Sequence, residues 1–221
     1  MKLFSAYIPP PDVGLDIAYQ DDFLLAINKP AGLLTTPGRG TDKQDCLFAR
    51  VQQEFPQAEV VHRLDMATSG LLLFALNKSL QGKLGKLFQQ RQITKRYMAV
   101  VEGQLIKKRG KIDYPLITDW PNRPLQKIDY ETGKSALTYY ELVAYDEKKH
   151  VSRVALKPVT GRTHQLRLHM KEIGHPIVGD NLYSSDTGST PATRLLLHAC
   201  SLEFEHPVTS LPMIIDSKPE F

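Results

Sequence analysis

The segment VHRLDMATSGLLLFALNK, at residues 61–78, places polar side chains directly before an apolar run. The carboxylate of Asp65 has the guanidinium of Arg63 and the imidazole of His62 as close neighbours in the sequence. A carboxylate in that setting could serve as a nucleophile or a general acid. The same residues also fit a structural salt bridge that closes a tight turn, so both interpretations of Asp65 remain open. Residues 68–70, Thr-Ser-Gly, have the composition of a turn that leads into a strand.

Two further side chains could take part in the same chemistry. Arg162, in TGRTHQLR, lies at the expected start of a helix, where the helix dipole disfavours a cation unless an anion is near. Asp65 or a phosphate could supply that anion, and an ordinary exposed arginine is the alternative. Tyr97 lies in the basic KRY sequence, which suits stacking on a nucleic-acid base beside phosphate contacts. Tyr97 also shares a strand face with Ala99, so packing in the core is its alternative.

Metal chemistry has little support in the sequence. His164 and His169 are five residues apart, so on a helix their side chains diverge, and no third ligand has suitable spacing. The two cysteines, Cys46 and Cys200, are far apart and form no metal-binding pair. No phosphate-binding glycine loop or GxSxG nucleophile motif occurs. We therefore expect a site that works without a metal ion.

The composition indicates a folded protein with a possible polyanionic partner. Of the 221 residues, 42% are hydrophobic and 24% are charged, and no apolar run could span a bilayer. The N-terminal residues lack a signal-peptide core, and the few cysteines fit a reducing compartment, so we expect a cytoplasmic protein. The net charge is +4, and residues 78–111 carry ten Lys or Arg and one acid, Glu102. This basic segment could contact phosphates or could be a solvated helix face.

The apolar periodicity predicts many strands, about three helices and no regular βαβ alternation, which favours an α+β fold with a mostly antiparallel sheet. Residues 1–14 resemble a proline-stiffened arm. Asp45 and Thr163 are the expected caps of the first and last helices, and Gly161 is expected to allow an unusual backbone angle. The expected strands are 59–62, 69–76, 95–103, 135–145, 151–161 and 193–207, the expected middle helix is 79–91, and a long loop begins at 112.

Six segments occur in a fixed order over residues 28–199: NKPAGLLTTPG, VHRLDMATSGLLLFALNK, KRYMAVVEG, LKPVTGRTHQLRLHM, HPIVGD and LLLHA. Together they resemble the RluA family of pseudouridine synthases over nearly the whole chain. The DWPNRP sequence resembles the branch of dual-specificity enzymes that modify both 23S rRNA and the tRNA anticodon stem-loop. The resemblance implies the pseudouridine synthase fold, with two lobes and a central catalytic cleft flanked by helices. It also implies one catalytic domain at 15–221 after the arm, without a separate S4-like domain.

The resemblance assigns roles to individual residues. It implies that Asp65 is the catalytic residue, that Tyr97 lies against the target uracil and that Arg162 pairs with the catalytic carboxylate. Arg63 would enter the space that the flipped base leaves in the stack. The expected RNA-binding residues are His62, Arg63, Lys95, Arg96, Asn122 and Arg123.

The implied reaction detaches uracil from its ribose and rejoins it through a carbon–carbon bond. It has no redox step and loses no atom, so we expect no cofactor. Whether Asp65 attacks C1′, adds to the base or assists a glycal route remains open. The expected enzyme is a monomer that acts on structured RNA and has no membrane partner. A catalytically idle RNA-binding or chaperone module is one alternative, and a nucleoside hydrolase or RNA glycosidase is another.

Overall fold

The computed structural model of this chain describes residues 6–184 and 192–221. The helices are α1 (Leu47–Glu54), α2 (Lys78–Gln89) and α3 (Gln165–Glu172). The strands are β1 (Ile17–Gln20), β2 (Leu24–Lys29), β3 (Glu59–Val60), β4 (Ser69–Ala75), β5 (Thr94–Glu102), β6 (Arg109–Asp113), β7 (Leu116–Thr118), β8 (Gln126–Ile128), β9 (Leu137–Asp146), β10 (Val151–Pro158), β11 (Leu197–Glu205) and β12 (Pro212–Asp216).

One ten-stranded sheet dominates the described residues. Its main strand order is β1-β2-β4-β11-β5-β10-β9-β6, with β12 on β11 and β3 on β4. Every pairing in this sheet is antiparallel except that of β4 with β11. The prediction of an α+β fold with a mostly antiparallel sheet is therefore confirmed. The long loop that was expected from residue 112 is wrong in part, because β7 and β8 form a separate two-stranded sheet inside it.

The sheet has two halves: the first contains β1, β2, β3 and β4, and the second contains β11, β12, β5, β10, β9 and β6. They meet where β4 runs beside β11. There Ser69 pairs with His198 and Gly70 pairs with Ala199. Gly70 has a φ of 106°, and a Cβ at this position would lie 2.3 Å from the carbonyl oxygen of Ala199. Only glycine allows the two backbones to approach this closely. The start of β4, directly after the loop that carries Asp65, is thus fixed against the second half of the molecule.

Strand β4 is buried along its full length because both of its faces are covered. Leu71 and Leu73 pack in one core cluster with Leu80 and Leu84 of α2. The alternate residues of β4 pack in a second cluster with α1, as the two-residue period of a strand requires. An apolar run that is buried on both faces explains why the LLLFAL sequence does not alternate with polar residues.

In the second half of the molecule, α3 packs against β5 and β10. All residues from 165 to 170 are buried. Its helix start differs from the expectation. The N-cap is His164, which has left-handed backbone angles (φ 54°, ψ 18°), while Gly161 does not have a left-handed φ. The expected Thr163 cap is not formed, and the helix start has no side-chain cap; Oε1 of Gln165 instead accepts the backbone N–H of Arg162 in the preceding turn at 3.0 Å.

The first helix also starts one residue later than expected. Its N-cap is Cys46, whose Sγ accepts the N–H of Ala49 at 3.4 Å, and Asp45 instead accepts two hydrogen bonds from Arg50. Arg50 also donates to the carbonyl of Pro10, so it ties residues 6–14 to the helix. These residues have no regular secondary structure. The division into an arm and one catalytic domain stays a prediction.

Candidate active site

Asp65 lies on the loop between β3 and β4, and hydrogen bonds to the main chain hold this loop in place. The hydroxyl of Thr35 donates to the carbonyl of Leu64 at 2.9 Å and accepts the N–H of Leu64 at 3.2 Å. On the other side of Asp65, the carbonyl of Met66 accepts the N–H of Gly32 at 2.9 Å. With both neighbours fixed in this way, the direction of the Asp65 side chain is set before any substrate binds.

The carboxylate of Asp65 forms its ion pair with Arg167, with 3.7 Å between Oδ2 and Nη1. Arg167 is buried, with 3% of its side chain exposed, whereas Asp65 is 26% exposed and so can be reached from outside. The guanidinium makes its main contact with the fully buried Asp180, donating from Nε at 2.8 Å and from Nη2 at 2.7 Å. Arg167 thus contacts both the buried carboxylate of Asp180 and the accessible carboxylate of Asp65. Because the contact with Asp65 is the longer one, the oxygens of Asp65 remain available to a substrate.

Arg167 remains a cation in this position. Burial works against its charge, but the hydrogen bonds and the charge of Asp180, together with the charge of Asp65, outweigh that effect and raise its pKa. Asp180 is itself held by the N–H groups of Leu182 and Tyr183, at 2.9 and 3.2 Å. A buried guanidinium with two carboxylate partners supplies a fixed positive charge beside Asp65.

The predicted ion pair between Asp65 and Arg162 is not formed. The side chain of Arg162 is exposed, and its Nε donates to the carbonyl of Ser135 at 3.2 Å. Arg162 lies exposed in the turn before α3, whereas Arg167 lies within the helix and is buried. The arginine that the resemblance implies beside Asp65 is therefore present, but it comes from a residue five positions further along the chain.

Tyr97 lies on β5 beside Ala199 of β11 and Leu156 of β10, and its ring contacts the core clusters of both halves. The residue is partly exposed. Burial above all, and then the negative charge of Asp65, raises the pKa of its phenol well above the ordinary value. Tyr97 is therefore a neutral phenol whose ring lies near Asp65, which suits contact with the face of an uncharged base.

Lys29 is a buried cation beneath the site that the sequence analysis did not single out. It is 1% exposed, and its Nζ donates to the carbonyls of Pro30, Leu33 and Met66 at 2.8, 2.7 and 3.0 Å. Burial lowers its pKa to about 7, and the negative charge of Asp65 acts in the opposite direction. Lys29 thus holds the main chain at Met66, directly after Asp65, and when protonated it adds a positive charge near the Asp65 carboxylate.

His62 has a structural contact. Its Nε2 accepts the backbone N–H of Leu73 at 2.9 Å, and its ring stacks on Phe88 with 4.4 Å between ring centroids. Burial and the nearby charge of Lys95 lower its pKa to about 3, so the ring is neutral. An RNA contact through His62 stays a prediction. Arg63 is exposed, and among the described residues it forms no ion pair.

Lys95 and Arg96 are adjacent on β5 and point to opposite faces of the sheet. Lys95 shares its face with Tyr97, and a Cβ added to Gly161 would lie 3.6 Å from its Nζ, so Lys95 lies beside the turn that precedes α3. Burial and the charge of Arg91 lower its pKa. Arg96 instead pairs with Glu203 at 3.7 Å. Of these two expected RNA-binding residues, Lys95 therefore lies on the face of β5 that carries Tyr97, and Arg96 lies on the opposite face.

Asn122 and Arg123 lie in an exposed turn between β7 and β8. The guanidinium of Arg123 lies 4.6 Å from the centre of the Trp120 ring, and 66% of Trp120 is exposed. Asn122 donates to Asp119 at 3.0 Å. An exposed indole with a cation over it is a suitable surface for an unpaired base, so this turn agrees with its predicted role without testing it.

Cavity volume alone does not identify the site. The grooves found among the described residues include one of about 600 Å³ between α2 and the turn after β11, and one of about 510 Å³ beside Tyr183. Neither of them is lined by Asp65 or Tyr97. Within residues 6–184 and 192–221, no three His, Cys, Asp or Glu side chains are arranged to hold a metal ion. Over the same residues, no helix is long and apolar enough to cross a membrane.

The chain is similar to known proteins in sequence and in fold. Residues 23–172 match the family model described as RNA pseudouridylate synthase. The chain is 48% identical over 215 residues to the Dual-specificity RNA pseudouridine synthase RluA of Escherichia coli, covering 97% of this chain and 98% of that protein. It is also 48% identical over 205 residues to the protein of the same name from Yersinia pestis, covering 93% of this chain and 99% of that protein.

Two solved structures have the same fold. Human RNA Pseudouridylate Synthase Domain Containing 1 superposes with a TM-score of 0.78 at 30% sequence identity, covering all of this chain and 87% of that one. Human RNA Pseudouridylate Synthase Domain Containing 4 superposes with a TM-score of 0.74 at 24% identity, covering 92% of this chain and 88% of that one. At that lower identity the second similarity concerns the fold alone.

Proposed function

Because the chain belongs to the RNA pseudouridylate synthase family, we propose that it converts specific uridines to pseudouridine in both 23S rRNA and the tRNA anticodon stem-loop. The isomerase activity follows from the family, and the choice of two RNA classes draws on the 48% identity to dual-specificity relatives. The observation that carries the proposal is the accessible carboxylate of Asp65 beside the buried Arg167, at 3.7 Å.

Asp65 is the nucleophile in this proposal. The N1–C1′ bond of uridine breaks, a C5–C1′ bond forms, the C5 proton leaves to solvent and N1 takes up a proton. Each of the three routes from the sequence analysis needs the carboxylate ionised and unobstructed. Arg167 places a positive charge beside this carboxylate, while Asp180 takes most of the hydrogen-bonding capacity of the guanidinium. Hydrolytic glycosidases use two carboxylates to activate water, and a single accessible carboxylate fits isomerisation better.

Tyr97 holds the uracil ring in this proposal. The target base must leave the RNA stack before it can reach Asp65, which costs roughly a few kcal/mol. Contact with the neutral Tyr97 ring offsets part of that free-energy cost. The exposed Arg63 is able to occupy the space that the base leaves in the RNA stack. The raised pKa of Tyr97 favours this binding role over that of a general base.

Lys95 and the turn around Trp120 and Arg123 are the proposed contacts to the surrounding RNA. Lys95 lies on the face of β5 that carries Tyr97, and the turn presents an aromatic ring with a cation. A cytoplasmic, monomeric enzyme completes the proposal, since RNA is the substrate and a single chain supplies Asp65, Tyr97 and Arg167. Light scattering of the purified protein at micromolar concentration would test the monomer.

The decisive experiment incubates the protein with two RNAs labelled with [5-³H]uridine, a tRNA anticodon stem-loop and a 23S rRNA fragment. We expect release of tritium with pseudouridine in both RNAs, and no release with Asp65→Asn, which should still bind RNA. Free uracil would indicate a glycosidase, and binding without any product would indicate an idle RNA-binding module. Pseudouridine in only one of the two RNAs would overturn the dual specificity and leave the isomerase activity in place.

A further inference from the structure

His164 is a candidate for a further role because its backbone is strained at a site near Asp65. It is the residue before α3 and has a φ of 54°. Left-handed angles are uncommon for residues other than glycine and cost free energy, so they persist where surrounding contacts require them. The side chain of His164 caps no N–H group of the helix. The main-chain carbonyl of His164 accepts the N–H of Leu168 at 2.9 Å, so the backbone of His164 begins the helix while its imidazole ring is left for other contacts.

Tyr183 determines which nitrogen of His164 carries the proton. The Tyr183 oxygen accepts the backbone N–H of Gln126 at 2.8 Å and lies 2.9 Å from Nδ1 of His164. Tyr183 is buried, and burial foremost raises the pKa of its phenol to about 12, so the hydroxyl keeps its hydrogen. Among the described residues, Nδ1 of His164 is the acceptor for that hydrogen. A neutral His164 consequently carries its own proton on Nε2.

The Nε2–H group of His164 has no hydrogen-bond partner within the described part of the chain, and the ring is only half-buried. Burial lowers the pKa of His164, although the charge of Asp65 acts to raise it, so the ring is neutral at pH 7. Arg167 begins its contact with Asp65 one helical turn further along. A pre-oriented neutral donor thus lies near the catalytic carboxylate, with its hydrogen available.

We propose that His164 is a further substrate-binding residue, whose Nε2–H donates a hydrogen bond to a ribose or phosphate oxygen of the flipped nucleotide. This inference rests on the proposed function. Asp65 must reach the bond between base and sugar, and Tyr97 holds the face of the base. His164 lies three residues before Arg167, one helical turn away, and the charge of Asp65 acts on its ring. With the bond to be broken assigned to Asp65 and the face of the base to Tyr97, we assign the sugar–phosphate part of the nucleotide to the His164 donor.

His164→Asn is the most informative variant. Asparagine tolerates left-handed angles, and its amide lies where Nδ1 lies, so it can keep the contact with Tyr183 while it removes the Nε2 donor. We expect the single-turnover rate of pseudouridine formation to fall about ten-fold, as expected for the loss of one hydrogen bond to the substrate. RNA affinity should fall by no more than the same factor, and the melting temperature should stay as in the unmodified protein. His164→Gln extends an amide N–H to the position of Nε2 and should recover part of the rate.

Tyr183→Phe provides a second test that leaves His164 in place. Without the hydroxyl the ring of His164 no longer has a fixed tautomer, so the rate should fall by a smaller factor than with His164→Asn. A 2′-deoxyuridine at the target position then identifies the acceptor. If the acceptor is the 2′-oxygen, His164→Asn should cause no further loss on the deoxy substrate. If it is a phosphate oxygen, the full ten-fold loss should persist there.

The proposal fails if folded His164→Asn forms pseudouridine within two-fold of the normal single-turnover rate. If His164→Asn does not fold, Tyr183→Phe is the test instead, and an unchanged single-turnover rate of pseudouridine formation in that variant overturns the proposal. A failure of this kind is distinct from a failure of the proposed function, because in the latter case the unmodified protein itself would form no pseudouridine.

Discussion

The carboxylate of Asp65 and the guanidinium of Arg167 lie 3.7 Å apart, although they belong to opposite halves of the molecule. Asp65 belongs to the half that contains β4, and Arg167 belongs to the half that contains α3. The close approach of β4 and β11 at Gly70 holds the halves together, directly behind the loop that carries Asp65. The pairing therefore depends on the fold of the whole sheet and cannot form in either half alone.

Matched substitutions at two arginines should separate their roles. In Arg167→Lys the ammonium cannot donate two parallel hydrogen bonds to Asp180 and also pair with Asp65. We expect turnover to fall about 10²-fold, as for the loss of one charged group that stabilises a transition state. Arg162→Lys changes only an exposed side chain and should stay within about three-fold of the normal rate. Steady-state kinetics with a tRNA anticodon stem-loop would test both, and the opposite ranking would return the catalytic pairing to Arg162.

Removing the Arg167 side chain should also lower the free energy of unfolding. Arg167→Ala leaves the carboxylate of Asp180 buried without its partner, which should cost about 3–5 kcal/mol of unfolding free energy. Urea denaturation followed by circular dichroism measures this loss. The double variant Arg167→Ala/Asp180→Asn is the control, since it also removes the buried charge that Arg167→Ala alone leaves without a partner, and it should lose less stability. A loss below about 1 kcal/mol for Arg167→Ala would contradict the buried pair, because exposed ion pairs contribute no more than that.

Lys29 should make stability depend on pH. Its pKa in the folded state is about 7, below the ordinary value of about 10.4, so between these values the unfolded chain binds more protons than the folded one. The stability contributed by this group is lowest below pH 7 and rises with pH up to about 10, by at most about 1.4 kcal/mol per unit.

Lys29→Met removes this titration, and it also leaves three carbonyls without their donor. The variant should be less stable than the unmodified protein, and the difference should be larger at pH 9 than at pH 7. Urea denaturation at both pH values measures it. A difference that does not change with pH would show that Lys29 keeps its ordinary pKa.

Tyr97 should act through its ring and not through ionisation. Because the pKa of its phenol is raised well above 10, Tyr97→Phe and the unmodified protein should have pH–rate profiles of the same shape up to pH 10. Tyr97→Leu should lose more activity than Tyr97→Phe, because stacking on a base is worth about 1–3 kcal/mol. A limb near pH 9–10 that disappears in Tyr97→Phe would instead assign an acid–base role to the hydroxyl.

Lys95 and Arg96 offer a matched pair of cations on one strand. Lys95→Ala should weaken RNA binding several-fold and reduce the slope of log affinity against log salt by about one, as for one lost phosphate contact. Arg96→Ala should change neither quantity, because its side chain pairs with Glu203 on the other face of the sheet. Filter binding at several salt concentrations measures both, and equal effects would contradict the assignment of faces.

Much of the fold follows from local patterns in the sequence. Strand β4 and helix α2 were predicted because an unbroken apolar run and an i, i+4, i+7 repeat are strong local signals. The strands β7 and β8 were missed because each has three residues and lies among prolines, where composition favours a loop. They pair with each other across a short connection, and Leu116 and Ile128 pack with the distant Leu168 and Tyr183.

Only part of the geometry around Asp65 has a local signal in the sequence. Asp65 and Tyr97 lie in distinctive motifs, but the cation that pairs with Asp65 was assigned to Arg162 instead of Arg167. One usable signal was available: an arginine inside an amphipathic helix needs an acidic partner if it is buried, and Asp180 follows shortly after α3. The strained backbone of His164 and the buried position of Lys29 have no local signal, because both depend on tertiary packing.

The most direct test of the account is the single-turnover rate of pseudouridine formation by Asp65→Asn, measured by tritium release at saturating protein. The amide keeps the shape of the side chain but cannot act as the nucleophile. The account predicts binding of the anticodon stem-loop with unchanged affinity and no detectable release of tritium. Release at a rate near that of the unmodified protein would contradict the central role of Asp65.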